Sequence, residues 1–325
     1  MTHISDAITM TFAGIAYGQP EKIPAYMAEA EPVAHWSVAW MPEVDGVPDN
    51  FMFLAHDGGD QYVVAIRGTY PNPFSPVYWD NANQDSPFGE MAAWSGDSTG
   101  AKISKGTNEG LGNLMALKDA SGRTVIDAVK ALPESATVTV TGHSLGGTQT
   151  PVIALKLAEA DVAASLAATS FAGMTPGNHA FARLVTYHPK LKGNLRRVYN
   201  TLDSVSYGWD NVCATRNFFN PAPKGGILVK LGLLITSLKL RFGGYGFTAI
   251  GTDVPLTGSV QALNVKNDLV AFVIETLHQH MPDTYLDLLG APDLPFSIIW
   301  GAITLPKDHP SLNARPNTGL PVVYA

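Results

Sequence analysis

Cysteine is almost absent from this 325-residue chain. The single Cys213 cannot form an intramolecular disulfide and has no partners at metal-ligand spacing, so the fold must hold by packing. Cys213 itself reads as a small core residue. Charge is scarce as well: Asp, Glu, Lys and Arg make up 15% of the chain, against about 25% in an average soluble protein. The cations form no run and the formal net charge is −7, which argues against a nucleic-acid partner. Nucleotide-binding loops and metal-ligand clusters are missing, and no cofactor is expected. Long apolar runs are missing too. The most apolar later stretch, Gly226 to Leu240, contains Lys230 and Lys239 and is shorter than the roughly 20 residues a bilayer span needs. No transmembrane segment is expected; a core helix is expected there, with a membrane-surface helix as the other reading. Met1 to Gly18 lacks a basic n-region and an unbroken apolar h-region, so Ile4 to Tyr17 reads as an amphipathic helix and not a signal peptide. Localisation stays open between the cytoplasm and secretion after loss of a leader.

What the chain does have is 46% hydrophobic residues with 31 glycines and 23 prolines, the balance of a large core with many loops. One domain over 1–325 is expected. Strand-like runs at Asn50 to His56 and Gln61 to Arg67 flank the turn Asp57-Gly58-Gly59-Asp60. Periodicity then disappears from Tyr70 to Ser104, where prolines alternate with Phe74, Tyr78, Trp79, Phe88 and Trp94. A helical pattern from Gly110 to Leu132, with a break at Ser121-Gly122, precedes a β-branched strand at Ala136 to Thr141. Beyond it the spacing predicts a helix to Ala160, a strand at Leu166 to Ala172, a helix at Gly177 to Tyr187 and a strand at Arg197 to Asn200. A strand at Tyr245 to Ile250 and a helix at Leu263 to Leu277 complete the pattern. Strands alternating with helices imply parallel βαβ units.

The pentapeptide Gly-x-Ser-x-Gly occurs twice. Gly96-Asp97-Ser98-Thr99-Gly100 has neither a strand before it nor an apolar helix after it. Gly142-His143-Ser144-Leu145-Gly146 has both, which puts Ser144 on a sharp strand-to-helix turn with an exposed hydroxyl. The Leu145 N–H then sits at a helix N-terminus, where the dipole favours developing negative charge, as an oxyanion donor requires. The alternative is a serine that only caps the helix. Pro151 is expected to kink that helix.

Three segments together resemble class 3 lipases over roughly residues 60 to 290: Val63 to Thr69, Val138 to Gly147, and Ser170 to Ala182. The third departs from the family's Phe-Gly-x-Pro by reading Ala172-Gly173-Met174-Thr175-Pro176. The resemblance implies an α/β-hydrolase fold, with a mostly parallel central sheet, helices on both faces and a lid-like insertion at residues 71–104. It also implies a second oxyanion donor at Thr69, whose alternative is an ordinary turn threonine. A serine hydroxyl needs a histidine to accept its proton and an acid to orient that histidine. In the hydrolase chain order of serine, acid, histidine, three histidines remain: His278, His280 and His309. His280, followed by Met281-Pro282-Asp283-Thr284-Tyr285, resembles the family's late His shortly before a Tyr. Asp203 in Asp203-Ser204-Val205 resembles its Asp-Pro-Val, with Asp210 as runner-up. His143 is expected to point elsewhere on the turn.

Lipase action on triacylglycerols or other acyl esters, possible at a lipid–water interface, is the reading that follows. Phe74, Tyr78 and Trp79 are candidate substrate contacts on the insertion, or else a satellite core beneath a static loop. The same triad serves carboxylesterases, phospholipases and aromatic-acid (feruloyl-type) esterases, because the pocket selects the substrate. An acyltransferase or a hydrolase-like binding module stands further off.

Overall fold

The computed structural model describes residues 3–71, 76–219, 222–261, 265–298 and 305–306. Seven strands form one sheet in chain order: β1 (Ser37–Trp40), β2 (Met52–His56), β3 (Gln61–Ile66), β4 (Thr137–His143), β5 (Ser165–Phe171), β6 (Leu195–Asn200) and β7 (Thr252–Leu256). The pairings β1·β2 and β2·β3 are antiparallel and every later one is parallel. The helices include α1 (Asp6–Ile15), α2 (Pro76–Gln84), α3 (Lys105–Ala116), α4 (Leu145–Glu159), α5 (His179–Tyr187), α6 (Gly226–Phe242), α7 (Asp268–His280) and α8 (Pro282–Leu288), and among them are covers for both faces of the sheet. Period-two alternation divides β2 and β3 between two cores. Phe53, Ala55, Val63 and Ala65 pack with α1 and α8 on one face. Met52, Leu54, Val64 and Ile66 pack with α3, α4 and α5 on the other. This is the two-sided arrangement of an α/β-hydrolase sheet.

Several expectations need correction. Residues 9–15 of α1 are all buried, because α1 lies between the sheet and α8; it is a core helix, not an amphipathic one. The break expected at Ser121-Gly122 is present, with Gly122 at φ +78° between α3 and a short helix, Val125–Lys130, but α3 starts earlier than Gly110, at Lys105. The aperiodic stretch contains α2, whose buried Asn81 and Gln84 hydrogen-bond Tyr70 N and Asn50. Trp94 belongs to the main core. Cys213 is half-buried and not a core residue. Helix α7 begins at Asp268, where Asn267 caps it by accepting from Leu269 N and Val270 N; Leu263 lies outside the described residues.

Pro151 stands inside α4, which runs unbroken from Leu145 to Glu159. An interior proline costs about 3 kcal/mol, partly by leaving the carbonyl four residues earlier unpaired. That carbonyl belongs to Gly147, and the Ser170 hydroxyl donates to it at 2.8 Å. A hydrogen bond of this kind contributes about 1 kcal/mol, so it offsets part of the cost.

The stretch 245–250 is not a strand. Phe247 makes one isolated bridge to Asn178, and the chain joins the sheet only at β7. The preceding helix α6 therefore has no sheet to lie on. Leu240 and Leu233 pack on a small cluster with Val212, Trp209 and Phe247, while most of its other apolar side chains face outward. No helix among the described residues is long and apolar enough to cross a membrane.

Candidate active site

Strand β4 ends at His143 and α4 begins at Leu145, which leaves Ser144 alone at the turn with φ 59° and ψ −124°. Non-glycine residues rarely occupy such a conformation, and it persists only when the surroundings enforce it. They do so here: Ser144 N donates to Phe171 O at 3.0 Å. Gly146 is pressed so close to β3 that a Cβ there would lie 2.3 Å from Ile66 O. The Ser144 side chain makes no capping hydrogen bond, so the capping alternative does not hold. Its Oγ lies 2.8 Å from His280 Nε2.

His280 ends α7 and turns its other ring nitrogen to Asp203, with Nδ1 2.9 Å from Oδ2 and 3.1 Å from Oδ1. Asp203, just past β6, is fully buried. Its Oδ2 also accepts from Tyr285 OH at 2.7 Å and Ser206 Oγ at 3.0 Å, and its Oδ1 from Val205 N at 2.9 Å. A buried carboxylate is tolerated when donors replace its water in this way. Asp210 is exposed. His278 sits two residues before His280 on α7, while the ring that meets Ser144 and Asp203 is that of His280. His309 lies outside the described residues.

The run Arg67-Gly68-Thr69 follows β3 on the other side of the serine. Arg67 is buried and donates to the carbonyls of Pro48 and Asp49, which ties the turn to the loop before β2. Gly68 has no room for a side chain, since its Cβ would meet Tyr17 OH at 1.9 Å. Thr69 Oγ1 donates to Asp85 Oδ2 at 3.1 Å. Thr69, Ser144 and His280 border one cavity of about 390 Å³, closed mainly by apolar side chains such as Trp209, Leu277 and Met174. The Leu145 N–H is the first of α4, among the amides an α-helix leaves without an internal partner.

The charges around His280 oppose each other. Burial lowers its pKa, but the Asp203 charge, their hydrogen bond and the Asp85 charge outweigh it, and the net shift is upward. Burial lifts Asp85 to about 7, against the lowering effects of the Thr69 hydrogen bond and the His280 charge. His143 moves well below its ordinary value because it is buried and faces the His280 charge. It does not point away from the site: its ring centroid is 4.9 Å from that of His280, and its Nδ1 is 2.9 Å from Tyr17 OH.

Sequence reasoning missed Asp85, Tyr17 and Ser206. Asp85 lies in the aperiodic stretch and Tyr17 beyond the end of α1, so neither carries a local signal; only the fold brings them to the cavity. Of the candidate substrate contacts, Phe74 lies outside the described residues, and Tyr78 and Trp79 are described only as backbone of α2. The second pentapeptide lies between the short strands Ala92–Ala93 and Lys102–Ile103. Ser98 is exposed there, and Asp97 orders the turn by accepting from Thr99 N and Ala101 N.

A mostly parallel sheet, a serine on a strained strand-to-helix turn and a hydrogen-bonded His–Asp pair define an α/β-hydrolase of the serine hydrolase class. Residues 63–207 match the model of the lipase (class 3) family, and the protein is a carboxylic ester hydrolase. Among solved structures the chain is similar to M37 lipase, at 24% identity and TM-score 0.72, over 89% of this chain and 93% of that one. It is also similar to the Rhizomucor miehei lipase propeptide complex, at 20% identity and TM-score 0.51, over 77% and 67% of the two chains. At these identities the likeness establishes the fold. No curated protein matches the chain by sequence.

Proposed function

We propose that this enzyme is a lipase and hydrolyses medium- to long-chain acyl esters, with Ser144 as nucleophile, His280 as proton shuttle and Asp203 as its orienting acid. The observation that carries the reading is the unbroken line Asp203–His280–Ser144 opening into an apolar cavity of about 390 Å³. His280 takes the Ser144 proton as Oγ attacks the ester carbonyl. The N–H groups of Leu145 and Thr69 stabilise the oxyanion, and the Thr69 hydroxyl, which donates to Asp85, fixes the turn that carries its N–H. His280 then protonates the leaving alcohol, and water releases the acyl group by the same steps in reverse.

Each methylene that enters the cavity contributes about 0.8 kcal/mol, or roughly fourfold in kcat/KM. On p-nitrophenyl esters, kcat/KM is therefore expected to climb steeply from acetate through octanoate and then level off. A maximum at acetate would contradict the lipase reading and leave a short-chain esterase. Ala82 of α2 and Asp85 just beyond it border the cavity, and we assign α2 the part of the lid. Its outward movement at a lipid surface is expected to appear as a jump in rate once substrate exceeds its solubility limit.

The base must be neutral to act. Because the His280 pKa is raised above 6.5, the acid limb of kcat/KM against pH is expected to have its midpoint above 6.5. Asp85 contributes to that rise, so Asp85→Asn removes a negative charge and should move the midpoint downward. An unchanged midpoint would disconnect Asp85 from the base.

A further inference from the structure

We infer that α6 is a docking helix for anionic lipid surfaces, distinct from the α2 lid. The inference rests on the reading of the protein as a lipase working on lipid. Between Asp210 and Asp253 the chain has no acidic residue and has five cations, Arg216, Lys224, Lys230, Lys239 and Arg241, in a protein of net charge −7. At about 100° per residue, Ile227, Leu231, Leu234, Ile235, Leu238 and Phe242 fall within an arc of about 100° on α6. All six are exposed, Ile227 and Phe242 by 82% and 81%. The inward face is a different one, occupied by Leu233 and Leu240.

The cations flank the outward arc, Lys230 and Arg241 on one side and Lys239 on the other. A helix lying in the plane of a bilayer has this layout, with apolar side chains at the acyl boundary and lysine and arginine stems reaching up to the headgroups. A second observation points to the same ligand. Near the start of α6 lies a cavity of about 310 Å³ bordered by Arg216, Lys224, Lys230, Phe218, Phe219 and Phe272, with no acid on its wall. Cations beside aromatic rings suit a phosphate with the upper part of its acyl chains. A second copy of this chain fits poorly, since a symmetric contact would set the same five cations against each other.

On its inward side α6 also neighbours the active site. Trp209 packs in the cluster beneath α6 and borders the active-site cavity. On α7, Phe272 borders the cationic cavity and His280 carries the base, eight residues or about 12 Å apart along the helix.

The test uses the full chain with Ser144→Ala, so that no lipid is consumed, sedimented with vesicles of phosphatidylcholine alone or mixed with phosphatidylglycerol. Binding to the mixed vesicles is expected to be on the order of 100-fold tighter and to weaken with salt. Leu231→Gln/Leu238→Gln and Lys230→Glu/Lys239→Glu should each lower it by at least about tenfold. With Ser144 intact, the same pairs should hydrolyse a soluble short-chain ester at the unaltered rate. Equal binding to both vesicles, or variants that bind as tightly as the parent, would overturn the proposal. So would a solution dimer that these pairs dissociate. Loss of ester hydrolysis by the unaltered enzyme, with vesicle binding retained, would sink the lipase reading and leave the docking helix standing.

Discussion

Replacing Ser144 by alanine is expected to lower kcat on p-nitrophenyl esters by on the order of 10⁶, while the protein stays folded. The size of the loss follows from the role: without Oγ no acyl-enzyme forms, and His280 and Asp203 have no nucleophile to activate. What remains is the modest catalysis of the oxyanion donors and of substrate binding. Stability should hold because the Ser144 hydroxyl caps nothing in α4 and bonds only side chains of the site, His280 and Tyr17. Alanine keeps the Cβ that the turn already accommodates at φ 59°. Ser98→Ala, at the second pentapeptide, should leave the rate unchanged. A Ser144→Ala enzyme with even a hundredth of the parent rate would require another nucleophile.

Asp203→Asn is expected to cost on the order of 10⁴ in kcat with little change in KM. An asparagine carries one acceptor and one donor where the aspartate carries two acceptors. At Oδ1 the amide nitrogen would face the Val205 N–H; at Oδ2 it would face Tyr285 OH, Ser206 Oγ and His280. The two hydroxyls at Oδ2 can rotate their protons away, so the amide nitrogen is expected there. It then donates to His280 Nδ1 and drives the proton to Nε2, the atom that must accept from Ser144. The ring keeps its place and loses its function. A thermal melt close to the parent's would separate this tautomer effect from unfolding, and a loss below tenfold would show that Asp203 does not orient the base.

The site was legible where chemistry follows local pattern. Ser144 could be separated from Ser98 because a β-branched strand and an apolar helix bracket only one of them, and those elements are β4 and α4. Asp203 and His280 were reached by chain order and family likeness, and the fold brings His280 to Ser144 across 136 positions of sequence and to Asp203 across 77. Asp85 and Tyr17 were not legible, because a residue that acts through tertiary contact leaves no periodic trace. The fold was misread where propensity and environment part. Helix α1 read as amphipathic, yet it is buried with Thr9 and Thr11, whose hydroxyls donate to the carbonyls of Ser5 and Ala7 and so tolerate burial. Apolar α6 looked like core, but no strand forms at 245–250 to receive it. Pattern shows which residues avoid water; it does not show whether protein or another surface covers them.

The central claim, that Ser144 is the nucleophile in a lipid-accepting cavity, is tested most directly by covalent capture. A long-chain alkyl p-nitrophenyl phosphonate, which mimics the tetrahedral intermediate, is incubated with the enzyme and the adduct is located by peptide mass spectrometry. One equivalent on the peptide containing Ser144, with none on Ser98 and none in the Asp203→Asn enzyme over the same time, is the expected result. An adduct on any other residue, or labelling that persists in Ser144→Ala, would contradict it.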